Sequence, residues 1–395
     1  MTNPCVSITR KTFFLLFFLA AFFSGHSQSN KQLIHDLLVS IAEKQIKKDS
    51  FFYTGMFPSF RECGGLPHNY QPDNNVFFTA ITAFALQNLK DDLEEKEKDL
   101  AEEMIKNAAA SFPYFQNPSG EPVYGFWPTG APIMPNTYYF KYLKSVFGQG
   151  DDADDSVIIL MASEADSSKA HLLKSRLIAA ANKSRKGRNI ISTFRKYKDY
   201  AAYSTYLGQR MPPDFDFAVQ CNIMYFMYEF KLPFVTEDSA TIQLLGEMIK
   251  NRNYMKTPVY ISPYYVKPSV LLYHAARLMG KFHIPELEVY KQQVIEDIYK
   301  ELKIATNIMD GIILRTALLR LGENAPPLDF GTLQNFQNSN QQQFIFFQAR
   351  PAFSYPTPFK QIFLHWSAIN YFFYCPAYNE TLLLEYLVTK RNHRR

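Results

Sequence analysis

Two short clusters of aspartate are the residues of this sequence whose type and spacing best suit them to chemistry. Asp151-Asp152-Ala153-Asp154-Asp155 places four acids in five positions, and Pro213-Asp214-Phe215-Asp216 adds two more. Carboxylates crowded together repel one another, which raises the pKa of at least one, and a carboxyl kept protonated can act as a general acid. Helix capping offers the plainer explanation, since an Asp at a helix start satisfies orphan N–H groups for ~0.5–2 kcal/mol. A further first-turn acid gains ~0.3–1 kcal/mol from the helix dipole. Caps and dipole account for two acids per helix, as at Asp214 and Asp216, but four in five positions exceed that need. The candidate catalytic set is therefore Asp152, Asp154, Asp155, Asp214 and Asp216. Trp127, Tyr138, Tyr203, Tyr206, Tyr264 and Trp366 form the candidate substrate-binding set. Aromatic faces stack on sugar rings and attract cations, although the same side chains also serve simply to pack a core.

Other chemistries lack their residues. There is no GxGxxG, no GxxxxGK[ST] and no HExxH, and the acidic run lacks the Gly and Glu positions of an EF-hand. Cys63, Cys221 and Cys375 show no CxxC spacing, which argues against zinc and leaves buried thiols or a single disulfide. No cofactor and no metal are expected. His68, His274 and His365 have no Ser or Cys motif beside them, and His274 lies in an apolar stretch that suits a hydrogen-bonded core residue. The net charge of +5 is small for 395 residues and gives no footprint for nucleic acid. The basic run over 390–395 suits a solvated helix end. The expected partner is a small-molecule or oligosaccharide ligand.

The elements that must position these acids follow from the hydrophobic pattern. Arg10 and Lys11 precede an unbroken apolar run from Phe13 to Phe23, followed by small residues to Ser27. This pattern predicts a cleaved signal peptide over 1–27, hence export to the periplasm or beyond, and a single domain over 28–395. No later stretch is apolar enough to cross a membrane. One set of predicted helices is amphipathic: 33–48, 93–110, 168–183, 239–251, 285–303 and 380–390. The other is apolar on nearly every face: 75–89, 155–163, 217–230, 268–280, 307–322 and 365–375. A helix apolar all round must be surrounded by protein, and one with a single apolar stripe packs on one side only. Six of each in near alternation predict an all-α fold, an (α/α)6 toroid of six inner and six outer helices. The inner helices would then run parallel, gathering both Asp clusters at one mouth. Gly280 and Gly322 are expected as left-handed helix stops, and 323–362 as an irregular crossover over one end of the ring.

Asp152-Ala153-Asp154-Asp155, followed by Ser156, matches the DxDD pattern of class II terpene cyclases. The chain thereby resembles the α/α-toroid superfamily of terpenoid cyclases and protein prenyltransferases. That resemblance implies that Asp154 protonates an alkene while Asp152 and Asp155 hold and polarise it. Trp127 and Trp366 are the only tryptophans, so the Gln/Trp repeats of triterpene cyclases are absent. The runs 125–128, 134–137, 202–208 and 211–216 also resemble a group of uncharacterised secreted bacterial proteins. Secreted glycoside hydrolases and polysaccharide lyases built on (α/α)6 barrels offer a second reading, with Asp154 and Asp214 as a carboxylate pair. A hydrophobic-ligand or glycan binding protein without catalysis is the third.

Overall fold

Helices dominate the computed structural model, which describes residues 30–130, 150–208, 211–330, 332–340, 344–350, 356 and 358–393. The expected signal peptide and Tyr138 lie outside the described residues. Helix α1 covers 30–43. It is followed by strands β1 (Ser59–Cys63) and β2 (Leu66–Asp73), then α2 (Phe77–Leu89) and α3 (Glu95–Ala109). Next come β3 (Tyr124–Gly125), β4 (Asp151–Asp152), α4 (Ala153–Ala162), α5 (Ser167–Ala180), α6 (Phe217–Glu229) and α7 (Thr236–Lys250). After them run α8 (Pro268–Lys281), α9 (Lys291–Ile304), α10 (Ile308–Arg320) and α11 (Leu333–Asn340). Strand β5 (Phe347–Ala349), α12 (Phe359–Phe363), β6 (Tyr371–Tyr374) and α13 (Pro376–His393) complete the main elements.

The two helix types behave as their patterns require. In α2 every residue from Phe77 to Leu86 is buried, and in α4 the whole helix is. The amphipathic α3 buries only Ala101, Met104 and Ala108, a stripe at three- and four-residue spacing. Buried helices pack in chain order: α2 on α4, α4 on α6, α6 on α8, α8 on α10 and α10 on α13, and α13 returns to α2. The contacts thus form a closed cycle of six buried helices. Amphipathic α3, α5, α7 and α9 each lie against the buried helix that precedes them. Gly280 shows how close the cycle is drawn: a Cβ there would meet the backbone oxygen of Arg320 at 2.4 Å.

The last quarter of the chain departs from expectation. A sixth inner helix over 365–375 does not form; β6 occupies Tyr371–Tyr374 instead. Four successive aromatics favour the extended, half-buried surface of a strand, and β6 pairs antiparallel with both β1 and β5. The resulting sheet has the order β2-β1-β6-β5, so the fold is mostly helical rather than all-α. The sixth buried helix is α13, which contains the stretch 380–390 expected on the outside. Its polarity misleads because Glu380 and Glu385 are buried, paired with Lys44 and Arg320. Gly322 does stop α10 at φ +87, whereas Gly280 lies inside α8, as a packing residue. No helix among the described residues is long and apolar enough to cross a membrane.

The crossover brings aromatic side chains against the buried helices. Strand β5 pairs with β6 in the register Phe347↔Phe373. This places the Phe347 ring 5.0 Å from Phe77, 5.3 Å from Phe126 and 5.5 Å from Tyr265 between centroids. Phe346, just before β5, lies 5.6 Å from His274, 5.7 Å from Tyr265 and 4.9 Å from Tyr378. Each such aromatic contact contributes ~0.5–1.5 kcal/mol beyond area burial.

Candidate functional site

Both Asp clusters lie at helix N-termini on the same end of the cycle. Contacts join N-terminal ends to one another across α2, α4, α6 and the loop entering α8, as at Phe77–Tyr265 and Asp154–Tyr265. C-terminal ends likewise meet, as at Gly280–Arg320. The buried helices therefore run parallel. Strand β4 pairs with β3 on one side, and Asp152 bridges to Tyr206 on the other. Ser156 ties the first turn down: its Oγ donates to the Asp152 carbonyl at 2.6 Å and accepts from the Tyr124 N–H at 2.9 Å.

Four of the six acids have a structural partner set. Asp152 caps α4, accepting from the N–H groups of Asp154 at 2.7 Å and Asp155 at 3.3 Å. Both carboxylate oxygens of Asp151 accept from Asn117 Nδ2, Oδ2 at 2.8 Å and Oδ1 at 3.0 Å. Asp216 caps α6 through Ala218 and Val219, and also accepts from Ser262 Oγ at 2.6 Å and Tyr264 N–H at 3.2 Å. Asp154 accepts from Asn222 Nδ2 at 2.6 Å and from the Tyr265 hydroxyl. Asp214 is half served: Ser192 donates to Oδ1 at 3.1 Å, while buried Oδ2 has no partner.

Asp155 is different in kind. It is 1% exposed, and both carboxylate oxygens are buried without any hydrogen-bond partner. Burial drives its pKa well above the usual carboxylate range, and the neighbouring Asp152 and Asp154 push the same way. Asp152 is also raised, by burial and then by Asp154, but two N–H groups favour its charged form. No hydrogen-bond donor reaches Asp155, so apart from the α4 dipole its surroundings favour the protonated form. Burial raises Asp154 too, with Asn222, Tyr265 and Arg277 opposing it. Burial carries Asp214 to about 6 against the pull of Lys360, and Asp216 to about 7 against its hydrogen bonds.

The aromatic candidates divide. The Tyr206 and Tyr264 hydroxyls meet at 2.6 Å beside the acids; burial raises both, with Asp214 and Asp216 reinforcing it. Trp127 packs nearby and donates to Asp73 at 3.1 Å. Tyr203 turns away, donating to Asp238 at 2.9 Å on α7. Trp366 is 57% exposed and stacks on Phe363, so the strand that replaced the expected helix removes it from the mouth. Three site residues escaped the sequence reading: Tyr265, Asn222 and Arg277. A polar or charged residue inside an otherwise apolar helix needs an interior partner, and that was the available signal for Asn222 and Arg277. His274 is a core residue as expected. Its Nδ1 lies 2.8 Å from the Val270 carbonyl, and burial keeps it neutral with Nε2 unpartnered.

Cys63, Cys221 and Cys375 are free thiols, the last two buried. No protein-family model, curated protein or solved structure matches the chain.

Proposed function

We propose that the closed cycle of parallel helices is the inner ring of an (α/α)6 toroid, and that the protein is an exported enzyme using Asp155 to protonate an uncharged, apolar substrate. The observation that carries this reading is the Asp155 carboxyl, buried with both oxygens unpartnered beside two other acids. A polar group in that state costs ~1–3 kcal/mol relative to one that is paired, and function is a reason to retain such a group.

The surroundings suit alkene protonation. The π electrons of the substrate would form the new C–H bond with the Asp155 proton, leaving Asp155 as a carboxylate and a positive charge on the adjacent carbon. The faces of Tyr265, Phe77 and Phe347 could stabilise that charge. Loss of a proton from the rearranged cation, to the Asp155 carboxylate or to water, would complete an isomerisation with no other reactant. The DxDD resemblance points to the same chemistry but with a different acid, Asp154. The glycan reading has less support, because its acid pair, Asp154 and Asp214, is already engaged by Asn222, Tyr265 and Ser192.

Incubation of the purified protein with linear polyprene alkenes in deuterated water tests the proposal. The expected product is a cyclised isomer carrying one solvent deuterium, abolished by Asp155→Asn. Glycan cleavage, or ligand binding without deuterium transfer, would overturn it in favour of the hydrolase or the non-catalytic reading.

A further inference from the structure

Arg277, on α8, is 6% exposed and forms no ion pair with a carboxylate of the described residues. Its guanidinium lies among the rings of Phe84, Tyr225 and Tyr273, at 5.3, 5.9 and 5.7 Å. A buried cation without a counter-ion is costly, and its one hydrogen bond shows where its charge is used. Arg277 donates to Asn222 Oδ1, and Asn222 donates through Nδ2 to Asp154 Oδ1.

The direction of this chain is fixed by chemistry. A guanidinium has only donors, so the amide oxygen of Asn222 must face it and the amide nitrogen must face Asp154. That nitrogen also only donates, so Asp154 Oδ1 must be an acceptor. The Tyr265 hydroxyl engages Oδ2, so each Asp154 oxygen already has a partner, whereas neither oxygen of Asp155 does. The other charged or titratable groups around this chain are Asp152, which caps α4, Asp155 on α4, Asp216 at the start of α6, Tyr265, Cys221, neutral His274 and Arg320. Among them, Arg277 is the cation that acts on Asp154.

We infer that Arg277 is a positioning residue: acting through Asn222, it holds Asp154 as the charged member of the cluster and thereby keeps the transferable proton on Asp155. The inference rests on the proposed acid role of Asp155, and it moves the proton one residue along from where the DxDD resemblance places it. Charged Asp154 is the fixed negative neighbour that makes ionisation of Asp155 unfavourable.

Infrared difference spectra of the full folded protein at neutral pH read this directly, because a protonated carboxyl has its own carbonyl band and the other buried acids cancel. Asp155→Asn should remove one such band from the wild-type spectrum, and Asp154→Asn should remove none. Arg277→Met and Asn222→Leu should each add a band, from Asp154, that vanishes when Asp154→Asn is combined with them. A purely structural Arg277 would change stability without adding a band. If Asp155→Asn removes no band, the acid role itself is overturned. If it does, but neither Arg277→Met nor Asn222→Leu adds one, the relay alone is overturned. Should both of those variants fail to fold, loss of a band in Asp154→Asn would still overturn the relay.

Discussion

Asp73 and Asp155 occupy comparable places and are treated in opposite ways. Asp73 ends β2 just before buried α2, and Asp155 lies in the first turn of buried α4, at 0% and 1% exposure. Asp73 is surrounded by donors: Arg61 at 2.6 Å, Asn75 at 2.8 Å and Trp127 at 3.1 Å. Asp155 has none. Burial raises the pKa of each, but at Asp73 the Arg61 charge and three hydrogen bonds oppose it. At Asp155 the neighbours are acids that reinforce it. The fold is thus able to neutralise one buried carboxylate and leave another bare. Asp73 is what a structural acid looks like here, and Asp155 differs from it in every partner.

The largest expected effect sharpens the contrast from the Asp73 side. Arg61→Met should cost ~3–5 kcal/mol in chemical denaturation, because it strands a buried carboxylate; a loss under about 1 kcal/mol would show that Asp73 is no better served than Asp155. The next effect is pH-dependent. Asp216 has a folded pKa of about 7 against an ordinary 3.8. Its native state therefore holds more protons than its unfolded state, and stability falls as pH rises between those values. Asp216→Asn keeps the cap oxygen and removes the titration, so the variant should gain on wild type as pH rises through that window, by up to roughly 4 kcal/mol. Parallel stability–pH curves would remove the claim that buried acids at this mouth stay protonated. Asp155→Leu comes third and reverses the sign of the Arg61 result. Removing an unpartnered polar group should stabilise by ~1–2 kcal/mol, and a clear loss would mark Asp155 as an ordinary structural acid. The smallest is Trp366→Ala, expected within ±0.5 kcal/mol at an exposed position; a larger loss would return Trp366 to the folded core.

Legibility in the sequence followed the kind of signal available. The first five buried helices were readable because their apolar character extends round every face, which only interior helices tolerate. The sixth was not, since its Glu380 and Glu385 are charges buried by partners far away in sequence, and pattern cannot display such partners. The strand at Tyr371–Tyr374 was lost because a short aromatic run fits a strand and a buried helix equally well. Left-handed stops were sought as glycine; Gly322 is one, but Glu164 and Lys231 take φ 46 and 49 after α4 and α6. At the site, the acid clusters were visible as a surplus over capping needs. Which acid lacked partners was invisible, because that depends on Tyr265, Asn222 and Arg277 arriving from other helices.

The cycle of helices also governs how the chain can reach its folded state. α13 fits between α10 and α2, and Lys44 meets Glu380 across 336 positions of sequence. Until that late segment docks, α2 and α10 each present an uncovered apolar flank. A stack of repeats can fray from a free end one unit at a time, but a closed cycle has no free end. Its opening must separate two helix pairings at once, and its closure waits on contacts between the two ends of the sequence, such as Lys44 with Glu380. Folding should accordingly be slow for a helical protein, with the incomplete ring as the species most exposed to aggregation and proteolysis.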